Sequence, residues 1–395
     1  MRACETVSNN GVGTLRGLPR RAGRSPVELR RRAGITLALV AGCGFEVAGA
    51  GSVLLDGGPV APDAPDAPDG GGPPIDAAPA CFGATGSLVT LCLIGALPPT
   101  FTVATATTLD TGTSPLCAPT TGASAAASCV IAAETIAITA RLTVTGPRPL
   151  ILAADTIRIT GAGILDVASH RVGTRGPGAD PTACTAGTAA SSYGGGAGGS
   201  FTGAGGGGGT PTGGSAGAVT ATPTSLRGGC PGGTGGRTAG GTGGRGGGAV
   251  ALIARGDLTI AGVVNASGAG GRGATASIDG GGGGGGAGGM IVLDALQIAL
   301  TGQVFANGAG GGEGADDVAG LPGQDPPDAT TLPLGGFNAN SGAGEGGAGT
   351  TGAVRTGSPG VDRFSAGGGG GGGGAGFIRF FGNRTGAGAV SPPPT

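Results

Sequence analysis

The chain has 395 residues, of which 98 are glycine and 28 are proline, and its hydrophobic fraction is 38%. Every basic residue is arginine, and the segment after Cys43 carries 14 arginines against 21 acidic residues, a net charge of −7. This acidic balance, without a basic stripe, argues against nucleic-acid binding. The single histidine, His170, excludes catalytic triads and histidine-based metal sites by count.

The N-terminus has the layout of a secretory signal. The apolar stretch 33–41 follows three arginines and precedes Cys43, so residues 1–42 are predicted to be a signal peptide. Its length indicates that translation begins later than the first methionine. The order Val-Ala-Gly-Cys at 40–43 resembles the lipobox of bacterial lipoproteins, which implies acylation of Cys43 and a membrane anchor. Gly44, in place of Asp, implies the outer membrane. An ordinary secretory signal is the alternative.

The chain after the signal divides into a linker and a repeat domain. Residues 43–80 are predicted to be a lipid-anchored linker, because their Pro-Asp and glycine repeats favour extended polyproline II structure. Residues 81–395 are predicted to be the folded domain. An exported domain is expected to form disulfides, and short loop closure favours bonds between neighbouring cysteines. The predicted pairs are Cys81 with Cys92, Cys117 with Cys129, and Cys184 with Cys230.

Two internal repeats predict the fold. Residues 132–139 (AAETIAIT) match residues 153–160 (AADTIRIT) at an offset of 21, and residues 249–271 match residues 289–311 at an offset of 40. Each unit contains three short runs with β-type alternation, separated by turns such as Arg255-Gly256-Asp257. The predicted fold is therefore all-β, a right-handed parallel β-helix with coils of about 21 residues and long glycine-rich insertions.

Stacked coils imply specific side-chain ladders. Ile136 is expected to lie over Ile157, and Leu258 over Ile298. The run 291–293 is apolar at successive positions, so it is predicted to be buried on both faces or to form an interface.

The glycine-rich pattern carries a resemblance. Residues 248–268 resemble the repeats of filamentous-haemagglutinin-type adhesins, which are β-helices, and the likeness extends with interruptions over residues 131–307. This resemblance implies an adhesive surface protein. The glycine runs also resemble those of PE-PGRS proteins, in composition alone. Runs such as 281–286 are either flexible loops or ordered polyglycine II helices that pair through their backbones.

One motif suggests a metal. Residues 311–319 (GGEGADDVA) fit the calcium-binding nonapeptide GGxGxDxUx, which offers Glu313 and Asp316, with Asp325 and Asp328 nearby to complete an oxygen shell. Calcium in such motifs lies between consecutive turns of a tandem array. Because the motif occurs here once, a solvated acidic loop is the favoured interpretation and no metal is predicted.

A second group of acids suggests catalysis. Glu134 and Asp155 occupy equivalent positions one repeat apart, where stacking would bring their carboxylates about 5 Å from each other. Paired acids of this kind, with Asp166 as the third acid in reach, run hydrolysis in β-helical polysaccharide enzymes. Acidic residues before a strand are also ordinary turn residues, and that interpretation is favoured here.

The sequence thus predicts a structural or adhesive lipoprotein of the outer membrane, on its periplasmic or cell-surface face, without catalytic activity and without a cofactor. Its partners are predicted to be the membrane, through lipid on Cys43, and a cell-surface or polysaccharide ligand, with no nucleic acid. The alternative is a polysaccharide hydrolase or lyase.

Overall fold

The structure is a computed structural model. It describes residues 80–84, 86–93, 95–117, 127–275, 279–338 and 342–395. The predicted signal peptide, Cys43 and all of the linker except Ala80 lie outside the described residues. Within these ranges no segment is α-helical, and none forms a helix long and apolar enough to cross a membrane.

Fifteen strands form the described secondary structure. They are β1 (Ala80–Phe82), β2 (Leu91–Leu93), β3 (Thr100–Val103), β4 (Thr107–Asp110), β5 (Cys129–Ile138), β6 (Arg141–Thr145), β7 (Leu150–Ile159), β8 (Ile164–Asp166), β9 (Ala249–Ala254), β10 (Asp257–Ile260), β11 (Val263–Asn265), β12 (Met290–Leu300), β13 (Gln303–Phe305), β14 (Phe377–Thr385) and β15 (Ala389–Ser391).

The strands belong to two parallel sheets and one hairpin. The seven-stranded sheet contains β3, β5, β7, β9, β10, β12 and β14, and the six-stranded sheet runs in the order β4, β6, β8, β11, β13, β15. Strands β1 and β2 form a separate antiparallel hairpin. Three glycine-rich segments interrupt this arrangement, at residues 167–248, 266–289 and 306–376.

This architecture contradicts the predicted right-handed parallel β-helix. The described strands lie in two parallel sheets, and the pairings of β7, β9, β12 and β10 close into a small four-stranded parallel set. The prediction placed three short strands in every repeat. A turn at Arg255 and Gly256 does separate β9 from β10, as expected, but β5 and β7 continue as ten-residue strands through the equivalent residues Glu134 and Asp155. Those positions lack the glycine that ends β9, so the pleated backbone continues.

The local register of the repeats was predicted correctly. Ile136 pairs with Ile157, and Leu258 pairs with both Ile157 and Ile298. These side chains are fully buried between the two sheets, in the larger of two apolar clusters. Burying a side chain of this size stabilises the fold by about 1.5–3 kcal/mol.

The seven-stranded sheet is buried on both faces. Ile291 and Leu293 belong to the cluster between the sheets, whereas Val292 belongs to a second cluster on the opposite face. Phe82 of the β1–β2 hairpin and Phe201 of the first glycine-rich segment cover that second face. This confirms the first of the two alternatives for the run 291–293.

The glycine-rich segments are hydrogen-bonded to one another through their backbones. The run 281–289 contacts six neighbouring segments, and bonds to one neighbour recur every third residue, which is the repeat of a polyproline II helix. Along one neighbour, for example, the N–H groups of Gly282, Gly285 and Gly288 donate to the carbonyls of Gly368, Gly371 and Gly374 at 2.8–3.0 Å. The six neighbours are residues 194–199, 230–236, 241–247, 266–272, 309–312 and 367–374. These hydrogen bonds are the ones expected of ordered polyglycine II helices. We call this region the glycine bundle.

Close backbone approach explains the composition of the glycine bundle. A Cβ atom added to Gly284 would lie 1.9 Å from the carbonyl oxygen of Ala197, and one added to Gly370 would lie 2.1 Å from that of Gly283. Fixing each backbone residue costs about 1–2 kcal/mol, and a hydrogen bond contributes about 1 kcal/mol net. The bundle therefore gains little stability from its own backbone and depends on the sheets and disulfides that it is attached to.

All three predicted disulfides are present. Cys81 is bonded to Cys92, Cys117 to Cys129 and Cys184 to Cys230. The last of these bonds closes the longest loop, within the first glycine-rich segment, with a sequence separation of 46 residues.

Candidate functional site

A buried carboxylate lies where the six-stranded sheet meets the glycine bundle. Asp166 is the last residue of β8, and its side chain is 3% exposed. Arg141, at the start of β6, places Nη1 2.5 Å from Asp166 Oδ2, and the register puts Asn265 of β11 beside it on the other side. The sheet register therefore holds Asp166 in place and supplies its countercharge.

His170 connects this carboxylate to a second one. Its Nε2 lies 3.2 Å from Asp166 Oδ2, and its Nδ1 lies 3.7 Å from Asp325 Oδ2. Asp325 in turn accepts the N–H groups of Gly270, at 2.7 Å, and of Arg171, at 3.1 Å. We call Asp166, His170 and Asp325 the Asp-His-Asp cluster.

The cluster fixes the charge of the imidazole. The hydrogen bond to Asp166 and then that to Asp325 raise the pKa of His170 to about 10, although burial acts in the opposite direction. Burial by itself would raise the pKa of Asp325, but His170 and the two N–H groups outweigh it and lower that pKa. His170 is therefore an imidazolium ion at neutral pH, and it cannot act as a general base there.

A cleft of about 500 Å3 opens beside the Asp-His-Asp cluster. Its charged lining consists of His170, Arg171, Arg245 and Arg272 on the positive side and Asp180 on the negative side. Glycine and threonine residues of the bundle complete the wall. We call this the arginine cleft, since four cations face one carboxylate there.

Asp180 is held at the edge of the arginine cleft by one N–H group and two arginines. Gly246 N donates to Asp180 Oδ1 at 2.7 Å, and Asp180 Oδ2 lies 3.5 Å from Arg245 Nη1 and 3.8 Å from Arg175 Nε. Burial raises the pKa of Asp180 above its ordinary value, and the N–H group and the two arginines offset only part of that rise. The glycine backbone and the arginines together can thus hold a carboxylate at this position.

The structure does not unite the three acids of the predicted catalytic group. Glu134 and Asp155 occupy corresponding positions in the paired strands β5 and β7 of the seven-stranded sheet. Glu134 is exposed, and Asp155 forms an ion pair with Arg255 at 2.5 Å. Asp166 belongs to the other sheet and has different partners. Glu134 and Asp155 thus lie on neighbouring strands of one sheet, and the third acid lies in the other sheet.

The four acids that the calcium motif offers do not converge in the structure. Glu313 is fully buried and accepts the N–H groups of Leu321 and Asn338 at 2.8 and 3.0 Å. Asp325 belongs to the Asp-His-Asp cluster, and no described group of the protein bridges Asp316 to the other three acids. Asp328 accepts the N–H groups of two following threonines, which lower its pKa to about 2. In the described ranges, no three Asp, Glu, His or Cys side chains are arranged to hold a metal ion.

Sequence reasoning missed the arginine cleft, although a charge pattern could have indicated it. Residues 167–248 contain five arginines and one acid, Asp180, within a chain whose segment after Cys43 has a net charge of −7. That local excess of positive charge stands out against the acidic remainder. A single histidine excludes a triad, but the charge of His170 in the folded state depends on Asp166, four residues before it, and on Asp325, which is distant in sequence.

Comparisons with known proteins give no relative. No protein-family model matches the chain, and neither curated proteins nor solved structures yield a match.

Proposed function

We propose that this protein is a non-catalytic structural or adhesive lipoprotein, anchored in the outer membrane through lipid on Cys43. The glycine bundle is the observation that carries the structural part of the proposal. Its segments are hydrogen-bonded to one another through their backbones, so it forms an ordered body with very few reactive side chains. Such a body is suited to presenting a surface and offers little chemistry.

The charge of His170 supports the absence of catalysis. This imidazole is the one histidine of the chain, and its pKa of about 10 removes it as a base at neutral pH. Glu134 and Asp155 are separated by the fold from Asp166. The enzyme alternative required these three carboxylates to converge in a groove.

The exposed apolar side chains support an adhesive role. Of the twelve large apolar side chains that are exposed in the described residues, eight lie between Val318 and Phe364. Exposed apolar surface is typical of regions that contact a partner. Phe364, which is 82% exposed, is the most accessible of them.

The export and anchoring parts rest on the sequence and on the disulfides. The lipobox-like residues 40–43 and Gly44 support lipidation at Cys43 and retention in the outer membrane. Three disulfides are typical of an oxidising compartment outside the cytoplasm.

Membrane fractionation of cells expressing Cys43→Ala tests the anchor. We expect the wild type and the matched variant Cys4→Ala to be found in the outer-membrane fraction, and Cys43→Ala to be unprocessed and absent from it. Normal processing and membrane retention of Cys43→Ala would overturn the lipid anchor.

Adhesion and catalysis are tested on the same cells and on purified protein. Protease treatment of intact cells should cleave the folded domain if it faces the surface, and deletion of the gene should reduce attachment to a polysaccharide-coated support. Release of new reducing ends or unsaturated products from polysaccharides, lost in Asp166→Asn, would refute the non-catalytic role.

A further inference from the structure

We infer that the arginine cleft is a binding site for an acidic polysaccharide, recognised through carboxylate groups on its sugars. The inference rests on the proposed adhesive function and names one class of ligand for it. The cleft has accessible cations, it already holds one carboxylate, and it has no aromatic ring of Phe, Tyr or Trp in its lining.

The cleft contains cationic groups that the protein does not pair. Arg272 is exposed, and no described carboxylate lies within ion-pair distance of it. Arg171 has a buried Nε atom without a hydrogen-bond partner among the described residues. Arg245 pairs with Asp180 at 3.5 Å while its side chain stays 57% exposed. The accessible guanidinium groups of Arg272 and Arg245 therefore have N–H donors free for a ligand, and their planar fork matches a carboxylate.

Asp180 shows how a ligand carboxylate would be held. It receives the backbone N–H of Gly246 and lies between Arg245 and Arg175. Gly243 lies three residues before Gly246, which is one turn of the same polyproline II segment, and it also lines the cleft. Its N–H has no acceptor among the described residues. A second carboxylate on Gly243, near Arg272, would repeat the arrangement that Asp180 makes on Gly246.

The remaining residues favour ionic over apolar sugar recognition. The chain has no tryptophan, and the ring of its one tyrosine, Tyr193, is covered by the Arg237 guanidinium at 4.6 Å. The lining of the arginine cleft contains no phenylalanine, tyrosine or tryptophan, so aromatic stacking, the usual means of holding neutral sugars, is not offered there. A cleft of about 500 Å3 is within the size range of small-ligand sites, which is large enough for a short stretch of a sugar chain.

The test measures binding of polygalacturonate oligosaccharides to the purified full-length protein in detergent, by calorimetry at 50 mM and 500 mM NaCl. We expect binding at low salt, at least tenfold weaker binding at high salt because the contacts are ionic, and no binding of neutral dextran. Absence of binding to polygalacturonate, or equal binding of dextran, would overturn the inference.

Paired variants locate the site. The double variant Arg245→Gln/Arg272→Gln should weaken binding at least tenfold, whereas the control Arg158→Gln, at an exposed position of β7 outside the cleft, should leave it unchanged. Both cleft arginines are exposed, so we expect the melting temperature to be retained. If the double variant is nevertheless unstable, the single variant Arg272→Lys, which keeps the charge but loses the fork, should still weaken binding. Equal loss in Arg158→Gln, or no loss in either cleft variant, would refute the site.

Two competition experiments distinguish carboxylate from sulfate and phosphate as the anion that the cleft binds. Heparin, which bears sulfates, and inorganic phosphate are added as competitors of polygalacturonate. Preference for polygalacturonate supports the inference, and binding of phosphate alone would overturn it in favour of a small-anion site. Because binding is measured with purified protein and the anchor is tested in cells, failure of one leaves the result of the other intact.

Discussion

Raising the pH from 6.5 to 10 is expected to deprotonate His170 and to lower the free energy of unfolding. The pKa of His170 is raised from 6.5 to about 10 in the folded protein, so the folded state binds more protons than the unfolded state throughout this window. The stabilising contribution is complete below pH 6.5. It decreases as the pH rises and is lost once the pH exceeds 10.

The magnitude follows from the shift and the exposure. Each pKa unit corresponds to about 1.4 kcal/mol, so the whole shift would correspond to about 5 kcal/mol. The His170 side chain is 34% exposed, and solvent screening reduces the shift and the linked contribution together. We therefore expect the free energy of unfolding to fall by about 2 kcal/mol across the window.

The composition of the chain makes this titration easy to isolate. The protein has no lysine, one histidine and one tyrosine, and all six cysteines of residues 80–395 are in disulfides. The Hε1 proton of His170 therefore gives a single NMR signal, and its chemical shift against pH reports the pKa directly. Denaturant unfolding at pH 6.5 and pH 9.5 then measures the linked stability.

Two variants test the cause of the shift. Asp166→Asn should lower the pKa of His170 by more than one unit, because it removes the carboxylate that makes the larger contribution. The control Asp257→Asn, at an exposed residue of β10, should leave it unchanged. A midpoint near 6.5 in the wild type, or equal midpoints in the wild type and Asp166→Asn, would refute the reasoning.

Three more predictions concern the glycine bundle, a disulfide and metal. Gly284→Ala should abolish or strongly destabilise folding, since its Cβ would lie 1.9 Å from a carbonyl oxygen. The control Gly161→Ala adds a Cβ that meets no atom within 4 Å, so it should leave the melting temperature within a few degrees. Similar effects of the two variants would contradict the packing. Replacing Cys184 and Cys230 by alanine should cost about 4 kcal/mol by denaturant unfolding, because the bond closes a long loop; an unchanged midpoint would contradict this. EDTA should leave the melting temperature unchanged, and a decrease that calcium restores would indicate a bound metal.

Features encoded by neighbouring residues were predictable from the sequence. The pairing of Ile136 with Ile157 followed from two short matching segments 21 residues apart, because parallel strands from equivalent repeats align in register. The disulfides followed from loop closure. Burial of the run 291–293 on both faces followed from its unbroken apolar character. Each of these inferences used residues close in sequence or related by a repeat.

The glycine bundle could not be derived in the same way. The run 281–289 is bonded to segments that begin as early as residue 194 and end as late as residue 374, and no side chain records which segments meet. Every glycine allows a neighbouring backbone segment to approach equally closely, so the composition permits both a flexible loop and a bundle. The predicted β-helix was wrong because a repeat specifies which strands pair but leaves the strand lengths and the number of sheets open.

The arginine cleft could be predicted from the sequence in part. Its cations come from glycine-rich segments whose contacts the sequence does not specify, yet their excess over acids in residues 167–248 is visible without a structure. Ordering an arginine side chain costs conformational entropy, and an arginine adds little stability to a bundle that is held by backbone hydrogen bonds. The structure gives Arg272 no carboxylate partner among the described residues. A structural role for the bundle therefore does not account for Arg272, whereas an anionic ligand does.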